Sequence, residues 1–443
     1  MENKPLLRVV EGGRGPRVIV VGAGFGGLAA ATGLGRLGIE VTLIDRQNHH
    51  LFQPLLYQVA TAGLSPADIA APIRTIVKDL PSVHVLMDEV EGVDAARRTV
   101  RTAAGAELRY DALVLATGAR HSYFGNDAWA EHAPGIKTID DAVRVRRDIL
   151  VAMERAETMR QEDPAHRDRH VTFAIVGGGP TGVEMAGAVA ELTRHAAEMD
   201  FRHISRRCVR VVLIEGGDRL LAALPPALGY AALASLRELG VDVRLGARVT
   251  SIDAGGVEFD GERLETAATV WAAGVQASPA ARWLGVEADR SGRVPVDAQL
   301  AVPGLRGVHV IGDTAAVTDA AGRPVPGVAA AAKQQGRHVA RVIAARLGGT
   351  TMPEPFRYRD HGSLATIGRR RAVADLGRLR LTGLAAWLLW CTAHLFFLVG
   401  FRNRFVVGAS WLWSYVTFER GARLITGAAA RAQVVPNPLA ETG

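Results

Sequence analysis

The run Val18-Ile19-Val20-Val21-Gly22-Ala23-Gly24-Phe25-Gly26-Gly27 decides how this chain folds. Four β-branched residues in a row read as a short buried strand, and a G-x-G-x-x-G pattern follows at once. Gly22 permits the tight turn, Gly24 lets backbone N–H groups approach a pyrophosphate, and Gly27 lets helix and strand pack closely; Phe25 and Gly26 complete the loop. An alanine-rich helix then ends near Gly38, and the strand Glu40 to Ile44 delivers Asp45, a carboxylate placed to bind a ribose diol.

The same grammar recurs. Thr172 to Val176 reads as a strand, Gly177-Gly178-Gly179-Pro180-Thr181-Gly182 as a second glycine turn, and Val209 to Ile214 as a strand ending in Glu215. The interval between loop and acid exceeds the usual ~20 residues, so Glu191 to Arg210 is expected to form an extended helix plus a loop. Glu215 repels a 2′-phosphate and accepts from a 2′-hydroxyl, which favours NADH over NADPH. Two β-α-β units mean two nucleotide sites. An N-terminal fingerprint joined to a late Gly312-Asp313 after the strand Val308 to Ile311 is the pattern of two-dinucleotide flavoproteins. FAD is therefore assigned to the first site, with Arg46, Pro54, Thr117, Gly118 and Asp313 added to its glycines and Asp45. NADH is assigned to the second, where Gly274 closes the strand Thr269 to Ala273. Asp313 has two compatible readings: a contact to the ribityl or pyrophosphate region, or the cap of a helix starting near Thr314.

The expected fold is α/β, with two Rossmann-like dinucleotide-binding domains and a C-terminal α-helical membrane-attachment region. The expected boundaries are 16–135 and 291–350 for the FAD domain, 136–290 for the NADH domain and 351–443 for the C-terminal region. Length and composition agree, with 443 residues, 48% hydrophobic and 22% charged. Only two cysteines occur, Cys208 and Cys391, which excludes a disulfide framework. No metal site and no nucleic-acid motif is read, although the formal charge is +7. Arg369, Arg370, Arg371, Arg378 and Arg380 precede the most apolar stretch, and Arg402, Arg404, Arg420 and Arg423 follow it. That layout suits an anionic lipid surface; the alternative is a solvated arginine face. Residues 1 to 15 are expected to be frayed, and no export signal is read there.

Leu381 to Phe401 is long enough to cross ~30 Å of hydrocarbon as a helix. Aromatic stripes at Trp387, Trp390, His394 and Phe401, and at Trp411, Tyr415 and Phe418, favour instead a helical pair lying in the lipid–water interface. A membrane span and a homodimer interface remain the alternatives.

The acceptor is read from missing sulfur. Many double-fingerprint enzymes place a Cys pair soon after the first acid, whereas His49 to Gln58 holds none. Dithiol chemistry needs two neighbouring sulfurs, so electrons must leave the flavin directly. At this stretch the chain resembles the bacterial type II NADH dehydrogenases, which are non-proton-pumping NADH:quinone oxidoreductases. The resemblance runs through NHHLFQPLLYQVATAGLSPADIAAPIR at 48–74, LVLATGA at 113–119, VGGGPTGVEMAG at 176–187, HVIGD at 309–313, PGVAAAAKQQG at 326–336 and GSLATIGRRRAVADL at 362–376.

The resemblance implies one noncovalent FAD, NADH as donor, a membrane quinone (menaquinone or ubiquinone) as acceptor, and monotopic attachment to the cytoplasmic face of the inner membrane. It also implies a quinone region with an Ala-Gln-x-x-x-Gln element. Here Ala330 replaces the first glutamine and Gln334 matches the second, with Lys333 and Gln335 beside it. Glu184 matches the family's glutamate after the second glycine loop. It reads equally as a proton source for the reduced quinone and as a helix-start residue favoured by the dipole. The competing functions are an NADH-dependent flavoprotein reducing oxygen or a small iron–sulfur protein, and a slow NADH-sensing module.

Overall fold

The computed structural model describes residues 15–158, 169–417 and 421–426. The expectations for residues 1 to 14, Phe418 and Arg420 lie outside the described residues. The chain divides into two compact units. One comprises Met1–Leu51, Ala71–Arg120 and Val275–His361; the other comprises Phe52–Ala70, His121–Gly274 and Gly362–Gly443.

In the first unit the strand Val18–Val21 is wholly buried, as its β-branched composition requires. It pairs in parallel with Val41–Asp45 on one side and Ala112–Leu115 on the other. Val83–Met87 and Val308–Val310 extend the two edges, giving five parallel strands. The order reverses at Val18–Val21, so the crevice beyond Val21 is where such a sheet takes its ligand. The helix Phe25–Gly35 leaves that crevice and packs along the helix Ala329–Gly348. Small residues allow the close approach: a Cβ on Gly336 would strike the carbonyl of Gly26, and one on Gly33 would lie 2.8 Å from the methyl of Ala340.

The second unit repeats the device. Thr172–Val176 pairs in parallel with Arg210–Glu215 and Ala268–Trp271, and Asp242–Leu245 adds a fourth strand. The helix Pro180–Met199 follows the glycine turn, and a connecting loop reaches Arg210, as the long interval requires. A three-stranded antiparallel sheet, Ser363–Gly368, Arg371–Asp375 and Arg380–Thr382, lies against that helix. Gly187 makes this possible, since a Cβ there would collide with the Ile367 carbonyl.

The apolar stretch differs from a single long helix. Its first residues end the strand Arg380–Thr382, the helix Gly383–Phe397 stops before Leu398–Gly400, and Phe401–Thr417 forms a second helix. Gly400 has φ of +89°, a left-handed conformation that glycine adopts at no steric cost. Among the described residues no helix is long and apolar enough to cross a membrane.

The expected aromatic stripes are also rearranged, because Phe401 belongs to the second helix. Trp390 is 2% exposed, stacks on His394 at 4.0 Å and meets Trp411 at 5.2 Å, while Trp387 stacks on Tyr415 at 5.7 Å. These rings glue the helical pair together. The exposed face is made instead by Leu384, Leu388, Phe401, Phe405, Leu412 and Val416, among others.

Candidate active site

The first cradle follows from sterics. Gly22 sits at φ +96°, and a Cβ there would run into the Ala116 carbonyl; a Cβ on Gly27 would strike the carbonyl of Gly22. Turn, strand and helix are thus locked together by backbone alone. Gly24 is the helix N-cap, carries no side-chain cap, and faces open space. The first N–H groups of the helix are therefore available to an anion. Asp45 ties the loop to its neighbouring strand, accepting from Ala23 N at 2.6 Å and Gln47 N at 2.7 Å, with lone pairs left for hydroxyls. The residues present fit a dinucleotide pyrophosphate.

The second cradle repeats these features one for one. Gly177 has φ of +112° against the backbone of Ala272 and Ala273, and a Cβ on Gly182 would strike the Gly177 carbonyl. Gly179 is an uncapped N-cap facing open space. Glu215 accepts from Gly178 N and from Gly217 N, the latter at 2.6 Å. Pro180 occupies the first helical position, where a missing N–H costs nothing. Pro180 and Thr181 are exposed beside it.

The remaining sequence-derived residues fall as follows. Thr117, Gly118 and Asp313 share the first unit. The hydroxyl of Thr117 bonds Ser278 at 2.5 Å, and the Gly118 carbonyl accepts from Ser278 N and Thr314 Oγ1, both at 3.1 Å. Asp313 corrects one expectation. It lies inside the 3-10 turn Gly312–Thr314, and Ala315-Ala316 continue as strand; the next helix of this unit starts at Ala329. The capping role and the dipole help expected there are absent. Arg46 is exposed next to Asp45. Pro54 lies in the second unit, within the turn Gln53–Leu55. Gly274 is also in that unit, packed beneath Phe124, where a Cβ would lie 2.7 Å from the ring.

Gln334 spends most of its amide on the backbone of Arg359, donating to its carbonyl at 2.9 Å and accepting from its N–H at 3.0 Å. Gln335 is buried and accepts from Gly312 N at 2.6 Å, so it fixes the turn that carries Asp313 rather than meeting a quinone. Lys333, beside them on the helix Ala329–Gly348, is partly exposed.

Glu184, on the helix Pro180–Met199, lines a cavity of about 540 Å³ in the second unit. Water can reach it through that cavity, yet protein surrounds the carboxyl on its other sides. Burial pushes its pKa up to about 8, against a smaller opposing effect from the Thr366 backbone N–H. At neutral pH it is an acid holding its proton, not a helix-start anion.

Three residues that bear on these sites escaped the sequence reading. His50 is buried, bonds the Ala23 carbonyl at 2.8 Å and meets Phe25 edge-on at 5.1 Å, so it braces the first loop. Tyr57 and Gln58 line the cavity with Glu184. All three stand in the stretch 48–74 already quoted, but no spacing rule marks them.

Comparison with known proteins agrees with this architecture. The family model described as pyridine nucleotide-disulphide oxidoreductase matches residues 16–336, and the NDH2 C-terminal domain matches 361–418. The chain is 44% identical over 439 residues to the type II NADH:quinone oxidoreductase Ndh of Mycobacterium tuberculosis, covering 96% of this chain and 93% of that one. It is 29% identical to the internal alternative NAD(P)H-ubiquinone oxidoreductase A1 of Arabidopsis thaliana mitochondria, covering 93% and 86%. Among solved structures it resembles NDH2 from Plasmodium falciparum in complex with NADH, with a TM-score of 0.86 at 20% identity, covering 94% and 100%.

Proposed function

The chain belongs to the type II NADH:quinone oxidoreductases, within the pyridine nucleotide-disulphide oxidoreductase family, and on that premise we propose how its residues divide the work. The protein is a FAD-dependent NADH dehydrogenase that reduces quinone without pumping protons. FAD, when bound, accepts hydride from NADH and passes two electrons on to the quinone.

The first cradle holds FAD. Gly22, Gly24, Phe25, Gly26 and Gly27 form its pyrophosphate turn, Asp45 its ribose hook, and Arg46, Pro54, Thr117, Gly118 and Asp313 its further contacts. The second cradle holds NADH through Gly177, Gly179, Pro180, Thr181, Gly182, Glu215 and Gly274. The observation that carries this assignment is the one-for-one repetition of turn, uncapped N-cap glycine and carboxylate hook in one chain. Glu184 supplies a proton to the quinone. Lys333 and Gln334 are placed on the quinone side by the match to the family's glutamine element. The domain division proposed is that of the sequence reading, 16–135 with 291–350, 136–290, and 351–443. Purified holoprotein should be yellow, bleach under anaerobic NADH and recover its colour on adding menaquinone or ubiquinone. A colourless preparation, or a chromophore indifferent to NADH, overturns the reading.

Glu215 sets the donor. A 2′-phosphate beside its carboxylate meets like charge, whereas a 2′-hydroxyl can donate to it. Glu215→Gln should therefore lower the ratio of kcat/KM for NADH over NADPH by about tenfold or more, ~1.4 kcal/mol. An unchanged ratio removes Glu215 from the specificity argument.

The protein is a peripheral membrane protein, as its NDH2 C-terminal domain and separate short helices fit. We place it on the cytoplasmic face, docked on anionic lipid through the exposed apolar stripe. Phe401, Phe405, Leu412 and Val416 recur at helical spacing and are 66–85% exposed, with Arg402 exposed beside them. Fewer arginines than the sequence suggested are free for headgroups: Arg371 pairs with Glu238 and Arg423 with Asp200, while Arg404 bonds the Leu398 carbonyl. Phe401→Ser with Phe405→Ser should abolish flotation with phosphatidylglycerol vesicles while NADH still bleaches the flavin. If the double variant still floats and instead dissociates a dimer, the stripe is an interface between copies.

A further inference from the structure

The cavity that Glu184 lines also presents an unusual hydrogen-bond chain. Its walls include Tyr57, Gln58, Trp387, Trp390 and Trp411, and its volume of about 540 Å³ falls within the range for small planar ligands. The indole of Trp411 donates through Nε1 to Oε1 of Gln58 at 2.7 Å, and Nε2 of Gln58 donates to the Tyr57 hydroxyl at 2.8 Å. Indole nitrogen is a donor only. Trp411 therefore dictates which way the Gln58 amide points, a choice that heavy-atom positions alone would leave open.

The consequence falls on Tyr57. Because its oxygen accepts from Gln58, its own hydrogen must be donated elsewhere, and among the described residues no acceptor for it is found. The side chain is 7% exposed. A buried donor without an acceptor is costly, on the order of 1–3 kcal/mol, and such a group at a cavity wall points to a ligand with an oxygen to offer.

We propose that Tyr57 donates a hydrogen bond to a carbonyl oxygen of the quinone, and that Gln58 and Trp411 are positioning residues that hold the hydroxyl in its donating orientation. The inference rests on the reading of Glu184 as the proton source. Overall, NADH, one proton and quinone give NAD+ and quinol. The hydride supplies both electrons and one hydrogen, so a single further proton must come from solution. That proton passes along the cavity. The Tyr57 O–H bond breaks as a quinone O–H bond forms, the phenol oxygen recovers a proton that neutral Glu184 releases into the cavity, and solvent restores Glu184. Burial raises the phenol well above its usual range, so Tyr57 gives and receives in one step and does not wait as phenolate. Trp411 sits on the helix Phe401–Thr417, so the membrane-attachment region itself sets the donor.

The test separates the two half-reactions in full-length, FAD-loaded protein on vesicles, using NADH, ubiquinone-1 and ferricyanide, which takes electrons without protons. Tyr57→Phe should bleach normally with NADH and recover normally with ferricyanide, but recover about a hundredfold more slowly with ubiquinone-1. Gln58→Leu is the decisive variant. It keeps the bulk of the side chain but makes neither hydrogen bond, so the Tyr57 hydroxyl is no longer held in its donating orientation and recovery with ubiquinone-1 should be about tenfold slower. Trp411→Phe frees the amide to flip and should fall between Gln58→Leu and wild type. Wild-type recovery with ubiquinone-1 in Tyr57→Phe or in Gln58→Leu overturns the inference. Glu184→Gln tells the two readings apart: if it alone is slow, the Tyr57 inference fails and the Glu184 reading stands, and if it recovers normally, the Glu184 reading fails.

Discussion

Gly182→Ala is expected to yield a protein that stays yellow and that NADH no longer bleaches. The added Cβ would lie within bonding-like distance of the Gly177 carbonyl oxygen, a backbone atom that cannot swing aside as a side chain does. Gly177 cannot retreat either, because a Cβ built on it would already lie 2.6 and 2.7 Å from the backbone of Ala272 and Ala273. The helix Pro180–Met199 must therefore move away from its strand, carrying with it the N–H groups that would hold the pyrophosphate. Such hydrogen bonds act through preorganisation, so a displacement of about 1 Å removes most of their worth. Affinity for NADH should fall at least a hundredfold, ~2.7 kcal/mol. FAD should be retained at full stoichiometry, since its own pyrophosphate turn, Gly22 to Gly27 with Asp45, is built by different residues in the other unit. Gly27→Ala is the mirror experiment, in which the same clash with the Gly22 carbonyl should give colourless protein. The pair is read by flavin content and by anaerobic bleaching against NADH concentration. Were Gly182→Ala to bleach with unchanged affinity, the second cradle would not be the NADH site.

Both cradles were legible in the sequence because their causes are local. A buried β-branched strand, a turn at positive φ and a helix N-terminus without a side-chain cap each follow from a handful of adjacent residues. The carboxylate hooks were legible too, since Asp45 and Glu215 each end the strand neighbouring their loop. What escaped was set by contacts distant in sequence. Thr314 looked like a helix start, but Ala315-Ala316 pair with Val294-Pro295 instead, and backbone pairing overrode local propensity. Hydropathy runs unbroken from Leu381 to Phe401, so Gly400 was the one hint in the sequence of a break at Leu398–Gly400. That break follows from packing, with Leu398 buried and its carbonyl accepting from Arg404. The same packing turned Trp390 and Trp411 inward. The Trp411–Gln58–Tyr57 chain joins segments more than three hundred residues apart, and no periodicity could have revealed it.

Glu184→Gln should both slow quinone reduction and change how stability depends on pH, and the two effects have determinate signs. The folded carboxyl holds its proton to about pH 8, whereas an exposed one releases it near 4.5. As a proton source it works only while protonated, so the wild-type rate of flavin reoxidation by quinone should fall as pH rises through about 8. Glutamine cannot deliver a proton, and the variant should be about a hundredfold slower with no such descent. On stability, the folded state holds one more proton than the unfolded state between about pH 4.5 and 8. Stability is therefore greatest below that window, declines as pH rises through it, and levels off above, because burying an ionisable carboxyl costs more as its unfolded counterpart ionises. Glutamine carries no such burden. The Tm of Glu184→Gln relative to wild type should climb from pH 5 to pH 8 and then run parallel to it. Tyr57, Cys391 and His195 share the cavity, but the first two hold their protons throughout this range, the thiol being pushed up to about 12. Bleaching by NADH should be untouched, since no part of the second cradle changes. A constant Tm difference from pH 5 to pH 9 would mean that Glu184 ionises as an ordinary surface carboxyl, and then neither the descent in rate nor the proton route to the quinone could originate there.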